Sequence, residues 1–129
     1  MTDPPLVSFE YFVVRCVPRV DREEFLNVGV VLYSQESRFL EAACRVDPER
    51  LRALAPKIDL DDVNVYLSTI GAICRGDRAA GPASELGPRQ RFEWLSAPRS
   101  TVVQPGPVHS GLTRDPSAEL QHLLESLVL

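Results

Sequence analysis

Two polar segments of the chain concentrate the side chains able to do chemistry. The longer runs from Ser96 to Gly111 and gathers Arg99, Ser100, Thr101, Gln104 and His109 around Pro98, Pro105 and Pro107. Prolines narrow the conformations open to a loop, so they lower the entropy lost when polar groups are held for a ligand. Arg99 with the hydroxyls of Ser100 and Thr101 offers a fork of donors suited to a phosphate or a carboxylate. His109 adds a donor or a general base that titrates near neutrality. The plainer reading is that these groups satisfy backbone atoms of an irregular chain crossing a sheet.

The shorter segment runs from Arg15 to Asn27. Arg15 sits in an apolar strand with Tyr11, Val13 and Val17 on its own side. A guanidinium there must reach the edge or meet a carboxylate, and Glu10, Asp21, Glu23, Glu24 and Glu41 are the candidates. Asn27 opens the next strand, where it is suited to lock the preceding turn. A structural ion-pair network is the preferred reading here, and a ligand site that includes Arg15, Glu24 and Asn27 is the alternative. The familiar signatures are missing: no phosphate-binding glycine loop, no HExxH, no nucleophile elbow, no EF-hand loop. No nucleophile, base and orienting group form a recognisable set. The second histidine, His122, falls in a helical pattern as a surface or boundary residue.

The elements that would position these groups change character midway. Residues 7 to 18 are aromatic and β-branched on both alternating sides, which predicts a strand covered on both faces for much of its length. Pro18 ends its pairing. A second strand spans Phe25 to Tyr33, with Gly29 marking a bulge or a close approach to the backbone. The turn Ser34 to Ser37 then makes a hairpin with a third strand, Arg38 to Val46. From Asp47-Pro48-Glu49 the period becomes helical, with Asp as cap and Pro at the first position. A longer helix follows, capped by Asp59 or Asp61, with Leu60, Val63, Leu67, Ile70 and Cys74 on one face and Gly76 as its stop. Residues 76 to 88 read as an internal loop, Arg89 to Leu95 as a short helix, and Thr101 to Gln104 as a brief fourth strand. Asp115-Pro116 starts a terminal helix whose stripe is Leu120, Leu123, Leu124, Leu127 and Val128. Strands first and helices afterwards give an α+β fold: an antiparallel sheet of three to four strands with the helices packed on one face.

Composition bounds the function classes. At 129 residues the chain is the size of one domain, expected to span 1–129. Hydrophobic residues make up 44% and charged residues 25%, as in ordinary globular proteins. A net charge of −4 speaks against a nucleic-acid-binding protein, because phosphate binding needs a basic excess. Of 14 basic residues Lys57 is the one lysine, a bias that GC-rich coding accounts for. No apolar run approaches the ~20 residues that span a bilayer, and Met1 to Pro5 lacks the features of a signal peptide. The expectation is a cytoplasmic protein with no membrane contact. Cys16, Cys44 and Cys74, without CxxC spacing, read as reduced buried thiols, with no metal site and no cofactor implied.

The stretch from Tyr11 to Leu32, containing Tyr11-Phe12-Val13-Val14-Arg15-Cys16 and Phe25-Leu26-Asn27-Val28-Gly29, resembles the opening of the bacterial domain-of-unknown-function family 3037. The stretch from Arg91 to Gln104, continuing through Pro107-Val108-His109-Ser110-Gly111-Leu112, is similar to that family's second signature. The resemblance covers nearly the whole chain and brings no established activity. It implies a gene neighbourhood shared with HipA-like kinases, and hence a partner or regulator of such a kinase. Two functions stay open: a non-catalytic accessory or protein-interaction domain, and a small ligand-binding module or enzyme using the Arg99–His109 segment on an anionic molecule. A homo-oligomer is also open, because the second or the fourth strand, if left at a sheet edge, invites another chain.

Overall fold

In the computed structural model of the protein, residues 2–129 are described. The N-terminal half is an antiparallel meander of β1 (Val7–Cys16), β2 (Leu26–Ser34) and β3 (Phe39–Cys44). Four helices follow: α1 (Pro48–Leu54), α2 (Leu60–Arg75), α3 (Pro88–Ser96) and α4 (Pro116–Leu127). Between α3 and α4 the chain returns to the sheet as β4 (Val103–Pro105) and β5 (His109–Thr113), both antiparallel to β1. The order is therefore β3, β2, β1, and then β4 with β5 end to end along the far edge.

The fold is α+β and the sheet antiparallel, as the sequence predicts, with two differences. The sheet has five strands instead of three to four, because His109–Thr113 pairs along β1. The helices also divide between two faces. On one, Phe12, Val31 and Tyr33 pack with Leu67 of α2 and with Phe92 and Leu95 of α3. The Phe92 ring lies 5.7 Å from that of Phe12 and 5.4 Å from that of Tyr33. On the other face, Phe9, Val30 and Leu32 pack with Leu120, Leu124 and Val128 of the α4 segment. β2 drives the division: every residue from Val28 to Ser34 is buried, so both its faces need a cover. It is central, and the edge role considered for it falls to β3.

Local signals set the helix starts. Asp47 accepts from the Glu49 and Arg50 amides, Asp59 from Asp62, and Asp115 from Ala118. α2 stops at Gly76, which takes φ 70°, and Arg91 of α3 donates to the Cys74 carbonyl at 3.3 Å beside that stop. Residues 76 to 88 contain two single 3₁₀ turns, Arg78–Ala80 and Pro82–Glu85. The last turn of α4 is held by side chains from elsewhere. Asn27 donates to the Leu127 carbonyl at 2.9 Å and Arg50 to the Val128 carbonyl at 3.3 Å.

Gly29 marks both features expected of it. Pairing of β1 with β2 slips between Val14 and Arg15, because Val14 faces Gly29 whereas Arg15 faces Asn27. A Cβ on Gly29 would stand 2.7 Å from Cys44 Sγ and 3.0 Å from the Ala43 carbonyl. Gly29→Ala is expected to cost about 1–3 kcal/mol of stability by overpacking the β2–β3 contact. Urea unfolding checks this, and Cys44→Ala in the same chain should recover part of the loss.

Candidate functional site

α4 lies over β2 and β3, so it leaves half of its own face of the sheet uncovered. That open half is built from β1 beyond Phe9, which α4 still covers, and from the broken strand formed by β4 and β5. Directly paired residues of antiparallel strands put their side chains on one face. Arg15 is paired with Asn27 on one side and with Gln104 on the other, which makes a row across β2, β1 and β4. Further along, Tyr11 is paired with His109, and their rings lie 5.3 Å apart. Tyr11, Val13 and Arg15 are half-buried on this face, whereas His109 and Phe25 are exposed.

Two glycines of the edge strand make seats for β1 side chains. Gly106 donates its amide to the Val13 carbonyl at 2.7 Å, and a Cβ there would stand 3.2 Å from Arg15 Nε. A Cβ on Gly111 would stand 2.8 Å from the Phe9 ring. On its other side the Arg15 guanidinium stacks on Phe25, with Cζ 4.2 Å from the ring centroid. Arg15 is thus clamped between an aromatic ring and bare backbone. None of the carboxylates considered for it forms an ion pair with it among the described residues. Its Nε is buried without a hydrogen-bond partner. A guanidinium held in place by stacking, with no counter-charge, is pre-set to receive a carboxylate or phosphate through its outer nitrogens.

The predicted site residues separate into those this face gathers and those it does not. Arg15, Gln104, His109 and Asn27 belong to it, although the Asn27 amide is used on the end of α4. Arg99 is bound up in the C-terminal end of α3. It donates to the Trp94 carbonyl at 2.5 Å and the Ala97 carbonyl at 3.3 Å, and it stacks over the Trp94 ring at 4.6 Å. Thr101 donates to the Val103 carbonyl at 2.7 Å, and Ser100 is exposed. Arg99 is thus tied to the helix on the α2–α3 face, whereas His109 stands beside Tyr11 on the α4 face.

Glu24 pairs with Arg22 in the connection between β1 and β2. That ion pair holds its carboxyl below the usual carboxylate range. Arg22 and Glu24 border a cleft of about 770 Å³ against the α1–α2 connection, away from the Arg15 row. Glu10, another candidate partner of Arg15, pairs instead with Arg89 of α3.

Three members of the face, Tyr11, Val13 and Phe25, read from the sequence only as core residues of strands. The signal for them is Arg15 itself: a cation in an apolar strand requires a neighbour that tolerates it, and Phe25 supplies the ring. Gly106 and Gly111 carried no signal, since only the pairing register shows that Arg15 and Phe9 lie over them.

Residues 11–128 match the model of a family described as protein of unknown function, DUF3037. The chain belongs to that family. No curated protein and no solved structure matches the chain. Among the described residues, no group of three or more His, Cys, Asp or Glu side chains is placed to hold a metal ion, and no helix is long and apolar enough to cross a membrane.

The three cysteines are free thiols under the α2–α3 face, Cys16 and Cys74 buried and Cys44 partly so. Burial raises Cys16 and Cys44 from 9.0 to about 11, and Cys74 to about 12. A raised thiol pKa means that the native state keeps its proton to higher pH than the unfolded chain does. Their contribution is therefore complete below the unfolded thiol range and is lost as pH climbs from there towards about 11 for Cys16 and Cys44 and about 12 for Cys74. Stability should accordingly fall on the alkaline side, and the thiols should resist a disulfide reagent near neutral pH until denaturant is added. Thiol titration with and without denaturant, and unfolding measured along an alkaline pH series, check both.

Proposed function

We propose that this family member is a non-catalytic protein-interaction domain whose partner seats on the open half of the sheet, around Arg15. The observation that carries this reading is the clamped guanidinium, unpaired among the described residues, stacked on Phe25 and paired in register with Gln104, on a face that Val13, Tyr11 and His109 continue along β1. Arginine and aromatic side chains in one patch are the residue types that dominate binding energy at protein interfaces. A partner carboxylate placed on Arg15 would meet a donor fork whose ordering is already complete. The family resemblance supplies the partner class to try first, a HipA-like kinase, with the domain acting as its accessory or regulator in the cytoplasm.

A second reading rests on the same guanidinium. Arg15 with the neighbouring Gln104 amide is a small donor set for the anionic group of a metabolite. It keeps Gln104 of the Arg99–His109 segment but moves the cationic role from Arg99, which already serves backbone carbonyls, to Arg15.

The test is binding of the full chain to the neighbouring kinase-like protein by calorimetry, with and without nucleotide. Association at micromolar concentration is expected, with Arg15→Ala weakening it roughly tenfold to a hundredfold. Absence of association would remove the kinase version. Association unchanged by Arg15→Ala and by Phe25→Ala would remove this face. For the second reading, thermal stability that stays flat across phosphates, carboxylates and nucleotides counts against it.

A further inference from the structure

The sheet has two edges, and they are unlike. Along the β4–β5 edge Pro105 and Pro107 flank Gly106, and prolines have no N–H to offer an incoming strand. β3 contains no proline, no lysine and no register slip against β2. The Arg45 amide donates inward to the Val28 carbonyl at 2.8 Å, which sets the phase of the strand. Phe39, Glu41 and Ala43 therefore turn their backbone groups towards β2, and Leu40, Ala42 and Cys44 turn theirs outward. None of these outward groups is taken up by the turn, loop or cap hydrogen bonds of the described residues.

We propose that β3 pairs antiparallel with β3 of a second copy of this chain, about a two-fold axis at Ala43, making one continuous sheet. The pattern of the strand selects a second copy. In this register Ala43 faces its own counterpart, and Ala42 faces the partner's Cys44 through outward backbone groups. Glu41 then faces the partner's Arg45, and the symmetry produces that pair twice. Glu41 and Ala43 lie on the α4 face, where Ala43 packs with the second core and Glu41 borders α4, and Arg45 continues their alternation one residue past the end of β3. Neither Glu41 nor Arg45 has an ion-pair partner among the described residues. Pairs of this kind, without backbone hydrogen bonds between them, bring side chains closest, so opposite charges there favour one register and one direction.

The flanks leave room for the second copy. A hollow of about 530 Å³ lies between β3 and α4, bordered by Ala118 and Gln121. Another of about 530 Å³ lies between β3 and α2, bordered by Asn64, Ser68 and Gly71. Both hollows flank the free edge, one on each face of the sheet. The pairing is independent of the function proposed above, because it uses the edge opposite to β4 and β5 and leaves the Arg15 face open.

Light scattering and sedimentation of the full chain across micromolar concentrations test the pairing, and a dimer is expected. Ala43→Cys should form an interchain disulfide under mild oxidation, where the unaltered chain forms none, because facing residues of such a pair stand about 4.5 Å apart at Cα. Glu41→Arg and Arg45→Glu should each weaken the dimer by roughly tenfold or more, since each sets like charges opposite one another twice. The double variant should recover it. Circular dichroism of the single variants separates loss of pairing from loss of folding. A chain that stays monomeric overturns the proposal. So does a dimer that is indifferent to both charge reversals and is not crosslinked through Ala43→Cys.

Discussion

Burial of β2 on both faces is the constraint from which the rest of the architecture follows. A strand with Val28 to Ser34 all enclosed must have a neighbour on each side to satisfy its backbone and a layer on each face to keep water away. β1 and β3 supply the neighbours. The helices α2 and α3 supply one layer, and α4 supplies the other. Gly29 is the tightest point of this arrangement, because β3 comes so near that no side chain fits. Once β2 is enclosed, α4 is placed over β2 and β3, and its placement there is what leaves the β1 and edge-strand half of the same face open.

That uncovered half is where the fold tolerates a cation. Arg15 occupies a strand position that a hydrophobic residue would ordinarily take, and desolvating a guanidinium without a counter-charge is costly. The structure meets the cost in part by stacking on Phe25 and by the absence of a side chain at Gly106. Several other arginines of the molecule are spent on carboxylates or on helix ends. Arg19 and Arg22 pair with Asp21 and Glu24, Arg89 bridges Glu10 and Glu93, and Arg91 and Arg99 serve backbone carbonyls of α2 and α3. Arg15 differs from all of these in having a fixed position and, among the described residues, no acceptor.

The two edges of the sheet follow different physical rules. The β4–β5 edge is broken by Gly106 and flanked by prolines, features that discourage further pairing. The β3 edge carries small residues at its centre and opposite charges spaced evenly about Ala43. An edge of that kind matches itself when turned by a half rotation.

Much of the local structure was legible in the residues. The Asp-Pro pairs at 47–48 and 115–116 and the Asp59 cap act within a turn of the chain, and each opens a helix where the sequence places one. The meander and its hairpin follow from alternation and a short polar turn, for the same local reason. The strand His109–Thr113 was not legible, because an edge strand with exposed residues has no apolar alternation to show. The facing of α4 was not legible either: its stripe states that one side is buried, and says nothing of which face of the sheet receives it. The candidate site shows the same division. Arg15 announced itself as a cation in an apolar strand, whereas its neighbours Gln104 and Gly106 lie some ninety residues away in the chain and meet it only through register. The amino-acid sequence by itself determined the elements, their caps and the oddity of Arg15, since these depend on contacts a few residues apart. Only the tertiary structure decided that Arg15 goes unpaired while Arg99 is consumed, because partner choice among distant side chains depends on which strands and helices come to lie side by side.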